Sequence, residues 1–335
     1  MFNTAGFRPT SRPRVGRRKT AGTVARAALA ASLLAMSTVA LSGTAQAAWP
    51  GGDGRIAFDS DVSGTSLQIY SMREDGSHRR QLTTEGNNGD PSWSPDGRRL
   101  AFDSDRAGGS HIFVMDATGG RVRDVNPDGN CTAYPSWMPG GREIIFSHYP
   151  DPACIGAPDI WIESSDGTHA RPLTNTPDDR ELKPEASPDG SRIAFMSHTS
   201  APGTFAVSTV RPDGADRRQI TPLSLDATYP DWSPDSRWLV IASNADRSLS
   251  AIYVVRRNGT GLRQLTEPTS GDNSKPRFAP DGRSIIFSSN SATPDQFELF
   301  TLDLRSHQVR QLTNTPEGSE YFSSWQPHGD RDQTN

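Results

Sequence analysis

Five versions of one twelve-residue string constrain this chain more than any other feature. PSWSPDGRRLAF (Pro91 to Phe102) returns as PSWMPGGREIIF (Pro135 to Phe146), PEASPDGSRIAF (Pro184 to Phe195), PDWSPDSRWLVI (Pro230 to Ile241) and PRFAPDGRSIIF (Pro276 to Phe287). The leading prolines are 44, 49, 46 and 46 residues apart. Self-similarity at that period belongs to repeat architectures, and four short strands per repeat define a propeller blade.

The strands are legible within each repeat. Strand A is the short piece around Pro-x-Trp, and strand B follows the Ser-Pro-Asp-Gly turn. Strand B alternates with a period of two, as in Ile56/Phe58, Leu100/Phe102, Ile193/Phe195, Leu239/Ile241 and Ile285/Phe287, which sets one face against a neighbouring sheet. Strand C carries Ile69-Tyr70, Ile112-Phe113, Ile160-Trp161 and Ile252-Tyr253. A second turn follows at Asp75-Gly76, Gly119-Gly120, Asp166-Gly167, Asp213-Gly214 or Asn258-Gly259, dipeptides whose Gly accepts a positive φ. Strand D ends in Leu82-Thr83, Leu173-Thr174, Ile220-Thr221, Leu265-Thr266 and Leu312-Thr313.

The two chain ends complement each other. The first repeat opens at Trp49-Pro50-Gly51-Gly52-Asp53-Gly54 and runs almost directly into a strand B, while the tail Phe322-Ser323-Ser324-Trp325-Gln326-Pro327 is a strand A with nothing after it. Ser323 falls 47 residues past Pro276, on the same period. The expected fold is therefore all-β: a six-bladed β-propeller of four-stranded antiparallel blades, closed by a C-terminal strand completing blade one, with no open sheet edge.

Residues 1–47 stand apart. They hold seven basic residues and no acidic one, an apolar run of 15 from Ala27 to Leu41, and the small-residue site Ala45-Gln46-Ala47. This is the layout of a cleaved secretory signal peptide, too short and too rich in small residues for a membrane span. Arg17-Arg18 would fit a twin-arginine signal, but Lys19-Thr20-Ala21 follows in place of bulky apolar residues. The expected division is a signal peptide at 1–47, a propeller at 48–328 and a disordered tail at 329–335. The remaining chain keeps 28 basic against 39 acidic residues. That balance argues against nucleic-acid or anionic-membrane partners. A secreted, periplasmic or envelope location is expected, as a monomer without a cofactor.

The string P-x-W-S-P-D-G-r-x-I-a-F, followed by I-Y-v-m-d, a Gly turn and r-Q-L-T, resembles the TolB-type propeller repeat over essentially all of residues 49–327. The resemblance implies the six-bladed fold and a protein-interaction role in the cell envelope. Departures are Val125-Asn126-Pro127 in place of Leu-Thr, Met138-Pro139-Gly140-Gly141 in place of Ser-Pro-Asp-Gly, and Ala186 in place of Trp. TolB's preceding α/β domain has no counterpart in this sequence. The hydrolase domain of the family's peptidase relatives has none either, and no Gly-x-Ser-x-Gly occurs.

Strand direction sorts the loops into two faces. The A–B and C–D turns share one face and are short and uniform. The B–C loops and D–A connections share the other and are long and varied, so binding is expected there. Cys131 (D–A connection) and Cys154 (B–C loop) fall on this variable face of blade three, and a disulfide is expected. It would close a loop of about 24 residues and contribute about 3–4 kcal/mol. Two free thiols are the alternative. The turn aspartates Asp96, Asp189, Asp235 and Asp281 read as caps of their own turns rather than as a cation ring.

Two further sets face the variable side. Three residues past the strand-B Phe or Ile come Asp61, Asp105, Tyr149, His198, Asn244 and Asn290, with His148 one position earlier in its blade. His148, His198 and Asp105 would be the donors if this chain followed the metal-binding lyases that resemble the repeat family. No metal is expected, because two His in different registers are thin support for a ligand set. Just before each anchor Pro or its equivalent stand Asp90, Tyr134, Lys183, Tyr229, Lys275 and Phe322, expected to guard the inner rim. Lys183 and Lys275 are the only lysines beyond residue 47, against 26 arginines. From these sets the expected ligand or partner residues are Asp61, Asp105, Tyr134, His148, Lys183, His198, Tyr229 and Lys275. The function expected is a non-catalytic propeller binding a protein or envelope ligand. The alternative is a secreted carbohydrate-active lyase or hydrolase with a metal-assisted site at the channel mouth.

Overall fold

A computed structural model describes residues 53–327, apart from 63, 65, 127–130, 200–202, 246–248 and 268–270. The signal peptide expected at 1–47, the opening at 49–52 and the tail expected at 329–335 lie outside the described residues. Six four-stranded antiparallel sheets follow one another. Blade one holds β1 (Asp53–Ser60), β2 (Gln68–Met72) and β3 (Arg80–Gln81). Blade two runs β4 (Asn88–Trp93), β5 (Arg99–Ser104), β6 (His111–Asp116) and β7 (Arg123–Asp124). Blade three is β8 (Thr132–Trp137), β9 (Glu143–His148), β10 (Asp159–Ser164) and β11 (Arg171–Pro172). Blade four is β12 (Asp179–Ala186), β13 (Ile193–Thr199), β14 (Ala206–Val210) and β15 (Arg218–Gln219). Blade five is β16 (Ala227–Trp232), β17 (Trp238–Ser243), β18 (Ala251–Arg256) and β19 (Arg263–Gln264). Blade six is β20 (Asn273–Phe278), β21 (Ser284–Thr293), β22 (Gln296–Asp303) and β23 (Val309–Gln311). The last strand, β24 (Glu320–Pro327), returns to the inner edge of blade one, pairing Trp325 with Ile56 and Ser323 with Phe58.

The middle strands of each sheet are buried on both faces, while the short outer strands are largely exposed, and this explains a detail that simple alternation leaves out. Ile56 and Phe58 pack towards blade six with Ile286, Leu299 and Trp325, while the intervening Ala57 packs towards blade two with Trp93, Leu100 and Phe102. Ala101 and Ala194 hold the same place in blades two and four. The period of two in strand B is thus large against small, with both sides apolar. Among the described residues an apolar cluster fills each of the six junctions between neighbouring blades, and a seventh packs Cys131, Tyr149, Leu182 and Met196. Burial of this kind contributes roughly 25 cal/mol per Å² of apolar surface.

The repeat's polar letters also have local causes. The strand-D Thr hydroxyl is buried and accepts a strand-C amide in five blades, from Ile69, Ile160, Val207, Ile252 and Leu299 at 2.8–2.9 Å. The turn aspartates cap their own turns: Asp96, Asp189, Asp235 and Asp281 each accept the N–H two residues on, at 2.8–3.1 Å. Trp137 and Trp232 send their indole N–H to Ser92 and Glu185 carbonyls of the preceding blade, at 3.1 and 3.0 Å. The C–D turn glycines combine positive φ with close approach. A Cβ on Gly167 or Gly214 would sit 2.6 Å from the strand-D carbonyl of the preceding blade, so any other residue there pushes two blades apart.

Ring closure rests on β24. Removing residues 320–335 uncovers the β1 edge and takes Trp325 out of the junction between blades six and one. The truncated protein should lose roughly 10 °C or more of melting temperature by circular dichroism, or lose cooperative melting altogether. An unchanged melt would mean that the ring does not depend on this strand.

Candidate functional site

The site grows out of one irregularity repeated in every inner strand. Each strand A slips register against strand B near its middle. In blades two to six the pre-proline residue there is left-handed: Asp90 φ 52°, Tyr134 61°, Lys183 56°, Tyr229 52° and Lys275 54°. Such a conformation disfavours side chains by roughly 1 kcal/mol or more, yet none of the five is Gly. The bulge turns these side chains towards the ring axis.

There Asp90, Tyr134 and Tyr229 meet the Lys183 ammonium. Lys183 of blade four is ion-paired with Asp90 of blade two. Its Nζ lies 4.0 Å from the Tyr134 ring centroid, 3.2 Å from that of Phe322 and 5.6 Å from that of Tyr229. Tyr229 and Phe322 meet edge to face at 5.6 Å. Lys275 Nζ stands 4.1 Å from the Phe322 ring and 4.3 Å from that of Tyr321. The expected inner rim is therefore an interlocked plug: Lys183 is 6% exposed. Burial drives its ammonium well below the lysine range, helped by the charges of Arg277 and Lys275. Burial also lowers Lys275 to about 8. Beneath the plug, Arg277 bridges Glu185 and Asp231, and Glu185 also accepts the Ser136 hydroxyl at 2.8 Å.

Above the plug, on the variable face, lies a cavity of about 270 Å³ walled by blades one to three. Two carboxyls that sequence reasoning passed over, Asp59 and Asp103, line it. Asp59 Oδ1 accepts the Phe322 N–H at 2.6 Å and Asp103 Oδ1 accepts the Tyr134 N–H at 3.1 Å, so both also fasten plug backbone. Their second oxygens flank Gly89, 3.5 and 3.3 Å from where a Cβ would sit. Burial raises Asp59 to about 6, against the pull of Lys275 and Lys183. Burial raises Asp103 to about 7, the Asp59 charge adding to it and the Tyr134 N–H opposing it. The available signal was an acid directly after the strand-B Phe in two blades, where the others carry Ser147, Met196, Ala242 and Ser288.

Tyr134 lines the cavity and Lys183, Tyr229 and Lys275 belong to the plug, but the other expected residues stay with their own loops. Asp61 accepts the Ser319 N–H and Asp105 the Asn87 N–H, each at 2.7 Å, tying B–C loops to D–A connections. His148 stacks on Trp161 at 4.3 Å, and burial lowers its pKa. His198 Nε2 accepts the Gly203 N–H at 3.0 Å, its ring meeting Phe205 at 5.4 Å. Among the described residues, no three His, Cys, Asp or Glu side chains group as a metal site requires. Cys131 and Cys154 are disulfide-bonded, Cα to Cα 5.2 Å, and both border the cavity.

Closed ring, axial plug and loop-face cavity describe a six-bladed β-propeller. The family model for the TolB beta propeller domain matches residues 34–157 and 157–331. The chain belongs to that family. Among solved structures it is similar to TolB from Acinetobacter baumannii, at 20% identity and TM-score 0.69, covering 83% of this chain and 68% of that one. It is also similar to the putative TolB from Agrobacterium tumefaciens, at 19% and 0.63, covering 82% and 100%. A further structure, oligogalacturonate lyase from Vibrio parahaemolyticus, stands at 13% and 0.53, covering 75% and 79%. At these identities the likeness concerns the fold. No curated protein matches the sequence.

The plug makes two expectations measurable. Lys183→Met leaves Asp90 without its cation and should reduce unfolding free energy by about 3–5 kcal/mol, with Asp90→Asn restoring a large part in the double variant. Denaturant titration of the three variants checks this. For Asp103 the folded chain holds a proton between about pH 4 and 7 that the unfolded chain has released. Its contribution therefore falls as pH rises through that window. Asp103→Asn should gain a few degrees of melting temperature on the wild type between pH 5 and pH 8.

Proposed function

We propose that this protein is an exported, non-catalytic propeller that binds a protein or cell-envelope ligand on the face made by its B–C loops and D–A connections. The observation that carries this reading is the loop-face cavity, open to that side and floored by the plug. A site with a floor receives ligands rather than passing them through. The B–C loop of blade three supports it: the disulfide tethers this loop beside the cavity, and Ile155, next to Cys154, is 66% exposed. A large apolar side chain held out on a fastened loop suits a partner contact. Export is supported by the arrangement of residues 1–47 and by the disulfide, a bond kept in oxidising compartments. Membership of the TolB propeller family accords with an envelope role.

The paired carboxyls of Asp59 and Asp103 are the one feature favouring the alternative, a carbohydrate-active lyase or hydrolase. Metal assay and turnover tests on unsaturated-product formation separate that reading from binding alone.

Site-specific photo-crosslinking tests the choice of face. A crosslinker at Ile155 should yield discrete adducts in intact cells, and one at Arg98, on the turn face, should yield none. Adducts confined to Arg98 would overturn the assignment.

A further inference from the structure

The cavity's chemistry narrows what it takes, and this inference rests on the loop-face reading above. Asp59 is 1% exposed, and only its Oδ1 receives a hydrogen bond, from the Phe322 amide. Asp103 likewise has Oδ1 on the Tyr134 amide. The two Oδ2 atoms are turned to the side of Gly89 where no side chain stands, and Gly89 itself borders the cavity. Among the described residues no side-chain donor reaches either Oδ2. The third carboxylate of the wall, Asp90, is already taken by Lys183. The remaining walls include the rings of Tyr134, Tyr149 and Phe322. A buried carboxylate oxygen without a donor is costly, and aromatic faces attract cations.

We propose that this cavity binds a primary ammonium group, its N–H bonds taken by Asp59 and Asp103 across Gly89 and its alkyl stem lying against Tyr134 and Tyr149. The molecule already carries an internal precedent one layer below, where the Lys183 ammonium sits between Asp90, Tyr134 and Phe322. The space left at Gly89 matters equally. A Cβ there would come within 3.3 Å of Asp103 Oδ2, closing the gap the ligand's nitrogen would enter.

The charged and titratable groups facing the pair are known from each neighbouring strand. Lys183 of β12 and Lys275 of β20 act on Asp59. Asp90 of β4 is held by Lys183. Tyr134 of β8 and Tyr149 after β9 add neutral phenols, the latter hydrogen-bonded to Arg180. With Asp103 raised to about 7 and Asp59 to about 6, the pair is mostly protonated at pH 5.5 and ionised at pH 8. Ammonium binding should therefore tighten across that interval.

The test uses the purified chain from residue 48 onward and two probes, cadaverine as a free amine and a short lysine-containing peptide as a chain-borne one. Calorimetry at pH 8 should detect one site, at least tenfold weaker at pH 5.5, and neither probe should bind once all of its amines are acetylated (both ends of cadaverine, the N-terminus and the lysine Nζ of the peptide). Asp103→Asn should weaken binding at least tenfold, and Gly89→Val, which fills the gap while leaving both carboxyls in place, should do the same. Tighter binding of the peptide identifies a partner's lysine as the source, and tighter binding of cadaverine a free amine. The proposal is overturned if both variants bind like the wild type, or if neither amine binds at millimolar concentration. Loss of amine binding with Ile155 crosslinks retained refutes this inference alone. Retained amine binding without those crosslinks refutes the choice of partner face alone.

Discussion

A blade of this protein has two apolar faces and only about 46 residues with which to cover them, so no blade is stable by itself. Strand B shows the demand in miniature: Phe58 faces blade six while Ala57 faces blade two. Large and small side chains alternate so that tapered sheets nest around an axis, and each of six junctions buries its own apolar cluster. Everything else depends on that two-sided burial. It forces a closed ring, and the ring forces β24 back onto β1.

Closure creates an axis, and the axis has to be filled. Inner strands bulge at the residue before proline, and side chains from five blades meet around Lys183. Filling the axis with ions and aromatic rings instead of aliphatic groups leaves the protein with several ionisable groups held away from water. Lys183 and Lys275 are pushed down, and Asp59, Asp103 and Asp231 are pushed up, each chiefly by burial. Perturbed groups of this sort gather where proteins bind or react. Here they lie beneath and around the loop-face cavity.

Much of this was legible in the residues themselves. The repeated Pro-x-Trp-Ser-Pro-Asp-Gly string reports an Asx-capped turn and an indole reaching the previous blade, both local or nearest-neighbour relations. The split first repeat reports the closing strand, and the position of the two cysteines reports the disulfide. The pre-proline set was legible as a ring guarding an inner rim, whereas the structure interlocks it as a plug. By contrast, Asp61, Asp105, His148 and His198 share a position in the repeat but not a place in space, because each is captured by its own loop or a neighbouring ring.

What the sequence determined alone is the architecture, because a propeller blade is specified by short-range patterning repeated six times, and each repeat needs only its neighbours. What tertiary structure alone decided is the candidate site. Asp59 and Asp103 belong to different blades, Gly89 leaves the gap between them, and Lys183 reaches Asp90 across 93 residues of chain. Those distances depend on the radius of the closed ring and on five left-handed bulges, quantities that no local pattern encodes.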